Sequence, residues 1–171
     1  MGLGYAFRLS PDGQNAVTSQ LYFSRELRTL GAHPITEGRE PSERIEVVKT
    51  FTGQSLSGPA DATILLALLP TDREAADVAV LGNINDRIEA GAASDEVLAE
   101  LARPALHAQG LAFEYGRGRV VVLGEAGMLT AQRLDFPPDD PREDIVFGLQ
   151  TSGHDDQQFA LNILHWLSRL I

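Results

Sequence analysis

Hydrophobic positions along the chain form two aliphatic runs and one alternating segment, each typical of a β-strand. Residues 120–123 are an unbroken Val-Val-Val-Leu run ended by Gly124, which predicts a strand covered on both faces. Residues 63–69 form a second aliphatic run, stopped by Pro70. In residues 44–52 apolar and polar side chains alternate, which predicts a strand covered on one face.

The clearest predicted helix lies at the C-terminal end of the chain. Its apolar side chains recur every three or four positions, so we expect it to pack on the sheet, with Trp166 as its largest anchor. Asp155 is predicted to cap it, with Gln158 reaching back. The predicted inner face carries Phe159, Ile163, Trp166, Leu167 and Leu170, with Ala160, Leu164 and Ile171 beside them, and the opposite face carries Gln158, Asn162, His165 and Arg169.

Two further elements have local sequence signals. Residues 71–74, Thr-Asp-Arg-Glu, have the spacing of a capping box, which predicts a helix over residues 72–81. Residues 111–115 and 119–123 flank Gly-Arg-Gly, which favours a tight hairpin and therefore an antiparallel pair. The first 19 residues show neither period, so we expect the chain to begin within a longer architecture.

Composition narrows the class of protein. The 171 residues predict one domain, and 24 acidic against 14 basic residues give a net charge of −10, which argues against binding to nucleic acid. The absence of cysteine excludes disulfides, thiolate metal sites and cysteine nucleophiles. No apolar run reaches the roughly 18 residues of a membrane span. We therefore expect a cytoplasmic location, or an extracytoplasmic one if an N-terminal segment precedes this chain.

Glu125 is the best-placed ionisable group in the sequence. It follows the 120–123 strand at its carboxyl end, before residues 126–132, which can turn helical. Ligands of open α/β sheets bind at such strand ends. The carboxylate has the chemistry of a general base, a metal ligand or a hydroxyl-binding group. The alternative is that it simply accepts the first amides of the following turn.

Four other polar residues are candidates for a site. His154, followed by Asp155 and Asp156, is a candidate catalytic residue, because histidine and carboxylates can also bind a metal at a helix start. Capping alone explains Asp155, however, and we predict neither a metal nor a cofactor. His33, in a His-Pro-Ile-Thr turn, and Gln54 and Ser55, in a polar loop after a strand, are candidate ligand-binding residues; local backbone bonds or water would also satisfy them.

Four segments together resemble the C-terminal half of class I glutamine amidotransferase-like domains, near the uncharacterised bacterial ThuA-like and gliding-motility accessory proteins. The resemblance implies a flavodoxin-like, three-layer α/β sandwich with a mixed sheet, a C-terminal hairpin and a packing helix, and it implies that the N-terminal βαβ units are missing. It also implies that glutaminase activity is absent, because the family's nucleophilic cysteine lies in the missing half. The segments are His33-Pro-Ile-Thr36, Thr50-Phe-Thr-Gly-Gln-Ser-Leu56, Gly118-Arg-Val-Val-Val-Leu-Gly-Glu-Ala126 and Asp156-Gln-Gln-Phe-Ala-Leu-Asn-Ile-Leu-His-Trp-Leu167.

Three hypotheses follow from these observations. The first is a noncatalytic or degenerate amidotransferase-like domain that binds a small polar ligand or a protein partner. The second is a hydrolase, with or without a metal, that uses Glu125 with His33 or His154, and it predicts that these side chains converge. The third is half of a fold, completed by dimerisation or by missing sequence, and it predicts an exposed apolar patch beside the 120–123 strand.

Overall fold

The computed structural model describes residues 4–9, 16–104, 106–138 and 144–171. The strands in these ranges are β1 (Tyr5–Leu9), β2 (Val17–Thr18), β3 (Tyr22–Ser24), β4 (Val47–Lys49), β5 (Thr63–Ala67), β6 (Arg73–Ala75), β7 (Ala108–Tyr115), β8 (Gly118–Leu123), β9 (Ala131–Leu134) and β10 (Ile145–Gly148). The helices are α1 (Pro34–Glu37), α2 (Val80–Glu89), α3 (Ser94–Ala99) and α4 (Asp156–Leu167). None of these described helices is long and apolar enough to cross a bilayer.

The strands form four small sheets, with the orders β2-β1-β6, β3-β4, β5-β7-β8 and β9-β10. Every strand pair within the described ranges is antiparallel. The chain therefore has the mixed α/β composition that the sequence predicts. A flavodoxin-like sandwich, which is organised around parallel strands, is not confirmed.

The β7–β8 hairpin is confirmed, and it belongs to the sheet that carries Glu125. Its register pairs Tyr115 with Gly118, and Gly116 at the turn has a φ of 59°, a conformation that glycine adopts without steric cost. At the other end, the Gly124 amide donates to the Gln109 carbonyl and the Gly124 carbonyl accepts from the Gln54 amide. These bonds fix the backbone immediately before Glu125.

The main core lies between α4 and the β5-β7-β8 sheet. Phe159, Ile163 and Trp166 of α4 are buried against β-strand side chains that include Leu65 and Leu66. The packing of the C-terminal helix on the β8 strand is confirmed. A second apolar cluster lies between β1 and the helices α2 and α3, around Phe7, Ile84 and Val97. Glu125 belongs to neither cluster and is half-buried.

The helix predicted over residues 72–81 is wrong. The segment begins with β6, which pairs with β1, and the helix starts later, at Val80. Two carboxylates of this segment have distant partners instead: the Asp72 carboxylate accepts from the Arg8 side chain, and Glu74, the last residue of the supposed capping box, accepts from the Ser55 hydroxyl. Long-range pairing therefore overrides the local capping signal.

The 120–123 strand is confirmed as β8, but its side chains are half-buried rather than fully covered. Val121 and Leu123 pack against the main core, whereas Val122 packs against a smaller cluster on the other face. Both faces of β8 therefore contact apolar side chains. However, β8 is the edge strand of its sheet, so it pairs with β7 along one edge and its other edge has no neighbouring strand in the described structure. The following segment forms only a three-residue 3-10 turn, Gly127–Leu129, before β9 begins.

The N-cap of α4 and the exposure of several of its side chains differ from the prediction. Asp155 occupies the N-cap position, but its carboxylate accepts the amides of Glu46 and Val47 at 2.7 and 2.9 Å instead of capping the helix. Asn162, predicted to face solvent, is fully buried and donates to the carbonyls of Ile35 and Glu43. Three leucines predicted on or beside the inner face are exposed: Leu164, Leu167 and Leu170.

Candidate functional site

Glu125 stands at the end of β8 with its carboxylate held by the turn that follows. The Met128 amide donates to Glu125 Oε1 at 3.0 Å, and the Gly127 amide donates to Oε2. Burial raises the pKa of the carboxyl above its usual value, while bonds from the amides of Met128, Gly127 and Phe51 oppose the rise. The amides thus fix the carboxylate in one orientation, as the simpler interpretation of the sequence predicts.

A pocket of about 270 Å³ opens beside this carboxylate. The Phe51 and Phe147 rings line it in an edge-to-face arrangement, with centroids 5.8 Å apart. Lys49 Nζ lies 5.0 Å from the centre of the Phe51 ring, so a cation already occupies one face of this aromatic group. The pocket lining is completed by Thr52, Ala126, Gly127 and Gln132.

His154 forms a second arrangement at the start of α4. Its Nε2 lies 2.5 Å from Thr151 Oγ1, and its Nδ1 lies 3.0 Å from Asp156 Oδ2. A hydroxyl on one ring nitrogen and a carboxylate on the other is the order found in hydrolytic triads. Thr151 Oγ1 also donates to the Gly148 carbonyl at 2.8 Å. Burial lowers the pKa of His154, and the nearby Lys49 charge adds to this, so the imidazole is neutral near pH 7.

Asp156 connects the two arrangements. It is fully buried, and its Oδ1 accepts the Lys49 amide at 2.9 Å. Its Oδ2 has no well-aligned hydrogen bond from any group that the structure describes, apart from the close approach of His154 Nδ1. Burial raises the pKa of Asp156 to about 7, and the Glu125 charge contributes to the rise. Glu125 and Asp156 are therefore electrostatic neighbours, and His154 lies on the same side of the molecule.

His33 does not join this group. It is the N-cap residue of α1, where Nδ1 accepts the Ile35 amide at 3.2 Å, and its ring packs edge-on against Trp166 with centroids 4.8 Å apart. Trp166 lies ten residues after Asp156 on α4, about 15 Å away along the axis. Burial and the Arg119 charge lower the pKa of His33. His33 and His154 thus lie near opposite ends of α4.

Gln54 is half-buried and Ser55 is fully buried, so neither lies in an open loop. Gln54 forms a β-bridge with Tyr5, and its backbone amide donates to the carbonyl of Gly124, the residue before Glu125. Ser55 is fully buried, with its hydroxyl donating to Glu74 at 2.8 Å. The Ser55 hydroxyl is therefore inaccessible to a ligand in this conformation, whereas the Gln54 backbone positions the strand end that carries Glu125.

Comparisons of this chain with protein-family models, with curated proteins and with solved structures find no significant match. The resemblance to amidotransferase-like domains stays a prediction from sequence motifs. Functional inference accordingly depends on the chemistry of the site.

Sequence reasoning missed Thr151 and the two phenylalanines that complete the two arrangements, and it considered Asp156 only as a metal ligand. Thr151 and Asp156 flank His154 within six residues, so the pattern Thr-x-x-His-x-Asp was a usable local signal. Phe51 and Phe147 are 96 positions apart, and no sequence pattern joins them. Among the described residues, no group of three or more His, Asp or Glu side chains has the arrangement of a metal site.

Proposed function

We propose that this protein is a binding domain that holds a small polar ligand with a positively charged group in the Glu125 pocket. One observation carries the proposal: a half-buried carboxylate, fixed by backbone amides, opens onto a cavity with two aromatic rings. A partly dehydrated carboxylate and an aromatic face both attract an ammonium or guanidinium group.

The dimensions and charge of the site support the same class of ligand. A cavity of about 270 Å³ is less than twice the roughly 150 Å³ that holds a benzene molecule, so the ligand, or the part of it that enters, is small. The Glu125 carboxylate has about four lone-pair sites, and the amides of Met128, Gly127 and Phe51 occupy three of them, so one remains for the ligand. The net charge of −10 attracts cations to the protein as a whole.

This function is compatible with a degenerate amidotransferase-like domain that binds rather than hydrolyses. Two features support that interpretation: the chain has no cysteine to act as the family's nucleophile, and a hairpin precedes the last helix as the resemblance implies. We propose the flavodoxin-like relationship on these grounds alone.

Three probes of matched size test the charge of the ligand: ethanolamine, ethylene glycol and glycolate. We expect ethanolamine alone to give saturable chemical-shift changes in the amides around Phe51, Glu125 and Phe147. Glu125→Gln should abolish the response, because the amide still accepts a backbone bond but carries no charge. Glu26→Gln, which neutralises an exposed carboxylate elsewhere, should leave it unchanged. Equal responses to all three probes, or an unaltered response in E125Q, would contradict the proposal.

The His154 arrangement favours a second candidate, an esterase-like hydrolase that uses Thr151 rather than Glu125. The Thr151 hydroxyl first turns from the Gly148 carbonyl to His154 Nε2. As its oxygen attacks an ester carbonyl carbon, this nitrogen takes the proton and then returns it to the departing alkoxide. Water, deprotonated by the same nitrogen, next attacks the acyl carbon, and the nitrogen returns this proton to Thr151 Oγ1 as the acid departs. On the other side of the imidazole, the Asp156 backbone amide donates to His154 Nδ1 at 3.4 Å, and the Asp156 carboxylate lies 3.0 Å from the same nitrogen. Gln157 and Gln158, at the first turn of α4, line the adjacent cavity of about 470 Å³.

Hydrolysis of p-nitrophenyl acetate measures this second activity. We expect Thr151→Val to remove enzymatic turnover and Thr151→Ser to retain it, with an acyl adduct on residue 151 detectable by mass spectrometry. Thr130→Val is the matched control, because Thr130 Oγ1 makes the same 2.8 Å bond to a carbonyl three residues earlier but contacts no histidine in the described structure. Equal rates in wild type and T151V would exclude the mechanism.

A further inference from the structure

An apolar surface remains on the side of α4 that faces away from the core. Leu161 and Leu164 are 48% and 60% exposed there. Beside them lies a groove of about 220 Å³, lined by Leu129, Ala160, Ile163 and Leu164. We call Leu129, Ala160, Leu161, Leu164 and Leu167 the leucine face. Monomeric proteins rarely leave a contiguous apolar surface of this kind uncovered.

We propose that the leucine face is a dimer interface, covered by the leucine face of a second copy with the two α4 helices antiparallel. The surface is self-complementary, because it presents both protruding leucines and a groove formed where Ala160 is small. A two-fold dimer requires that property, since one patch must fit itself. Leu161 of each copy can then pack against Leu164 of the other, and one of these leucines can enter the groove.

Charge favours the antiparallel orientation over the parallel one. Exposed Arg117 and Arg169 are neighbours at the C-terminal end of α4, where the Arg169 side chain donates to the Arg117 carbonyl. Asp155 lies at the N-terminal end, where its half-buried carboxylate accepts the amides of Glu46 and Val47 through Oδ2. An antiparallel pair brings the arginines of each copy towards Asp155 of the other and opposes the two helix dipoles. A parallel pair would place like charges together at each end.

Sedimentation over a hundredfold range of protein concentration tests the dimer. We expect reversible association, weakened by salt, and a loss of more than about tenfold in dimer affinity for Leu164→Glu. Leu27→Glu is the matched control, because Leu27 is 46% exposed on a remote turn and its replacement adds the same charge. A wild-type protein that stays monomeric throughout, or equal affinities for L164E and L27E, would overturn the proposal.

Disulfide trapping tests the orientation, and it needs no background correction because the chain has no cysteine. With the two-fold axis between Leu161 and Leu164, exposed Gln157 faces Ser168 of the second copy. We therefore expect Gln157→Cys mixed with Ser168→Cys to form a cross-linked pair. Each variant alone should not, since two copies of one position lie about 16 Å apart along the helices. Efficient self-linking of Q157C would indicate parallel helices and refute the proposal, even if L164E failed to fold.

Discussion

Arg8→Met is expected to destabilise the protein by about 3–5 kcal/mol, the usual cost of removing one partner from a buried ion pair. The Asp72 carboxylate is fully buried and accepts Arg8 Nε at 2.6 Å and Nη2 at 2.8 Å. A third bond comes from the Leu69 amide at 2.7 Å. Methionine preserves most of the side-chain stem, so the loss measures the uncompensated Asp72 charge together with the 2.9 Å bond that Arg8 Nη1 donates to the Tyr22 carbonyl. Such a loss is a large share of the 5–15 kcal/mol that typically stabilises a domain.

Urea unfolding followed by fluorescence of Trp166, the single tryptophan, measures the effect. The double variant Arg8→Met with Asp72→Asn should recover most of the loss, because neither partner is then charged and the Asn oxygen still accepts the Leu69 amide. Arg87→Met is the surface control: Arg87 pairs with Glu100 in the same two-bond geometry, but both side chains are exposed. A loss in R87M as large as in R8M would mean that burial is not the cause.

The Arg8–Asp72 pair also explains why part of the fold could not be predicted from sequence. Elements specified by neighbouring residues, such as the hairpin around Gly116 and the amphipathic α4, were predictable. Residues 71–74 have a helix-capping pattern. The Asp72 carboxylate in this segment nevertheless binds the guanidinium of Arg8, 64 positions earlier in the chain. No local rule contains that information. Asn162 was misplaced for the same reason, since the two carbonyls to which it donates lie more than 100 positions away.

In the candidate site, too, features specified by neighbouring residues were predictable and those that depend on distant residues were not. Glu125 was predictable because a strand run ends directly before it, and the bond from Met128 lies only three residues away. The rings that make its surroundings a pocket come from two distant segments that meet only in the folded chain. His154 was recognised for its chemistry, whereas its relation to Thr151 Oγ1 depends on the geometry of the turn before α4. The chemically suitable residues could therefore be predicted from the sequence, whereas the contacts that bring distant residues together could not.

Asp156→Asn is expected to stabilise the protein above pH 7. In the folded state burial raises the pKa of Asp156 to about 7, from an ordinary value of 3.8. Between these values the folded state holds a proton that the unfolded state has released. Stability therefore falls as pH rises through this window, by up to about 1.4 kcal/mol per pH unit, and the loss is complete above pH 7. Asparagine never ionises, so the variant avoids this loss while its Oδ1 still accepts the Lys49 amide.

Free energies of unfolding measured at pH 5 and pH 8 test this prediction. The difference in stability between D156N and wild type should be larger at pH 8 than at pH 5. Asp86→Asn, at an exposed position, is the control and should show no such increase. A stabilising substitution at a buried ionisable residue has a functional implication, because proteins commonly sacrifice stability at sites that act on other molecules. If Thr151 and His154 form a hydrolytic relay, D156N should be more stable at pH 8 and also less active. A D156N protein that is less stable than wild type at pH 8 would show that the His154 contact outweighs the cost of burying the charge.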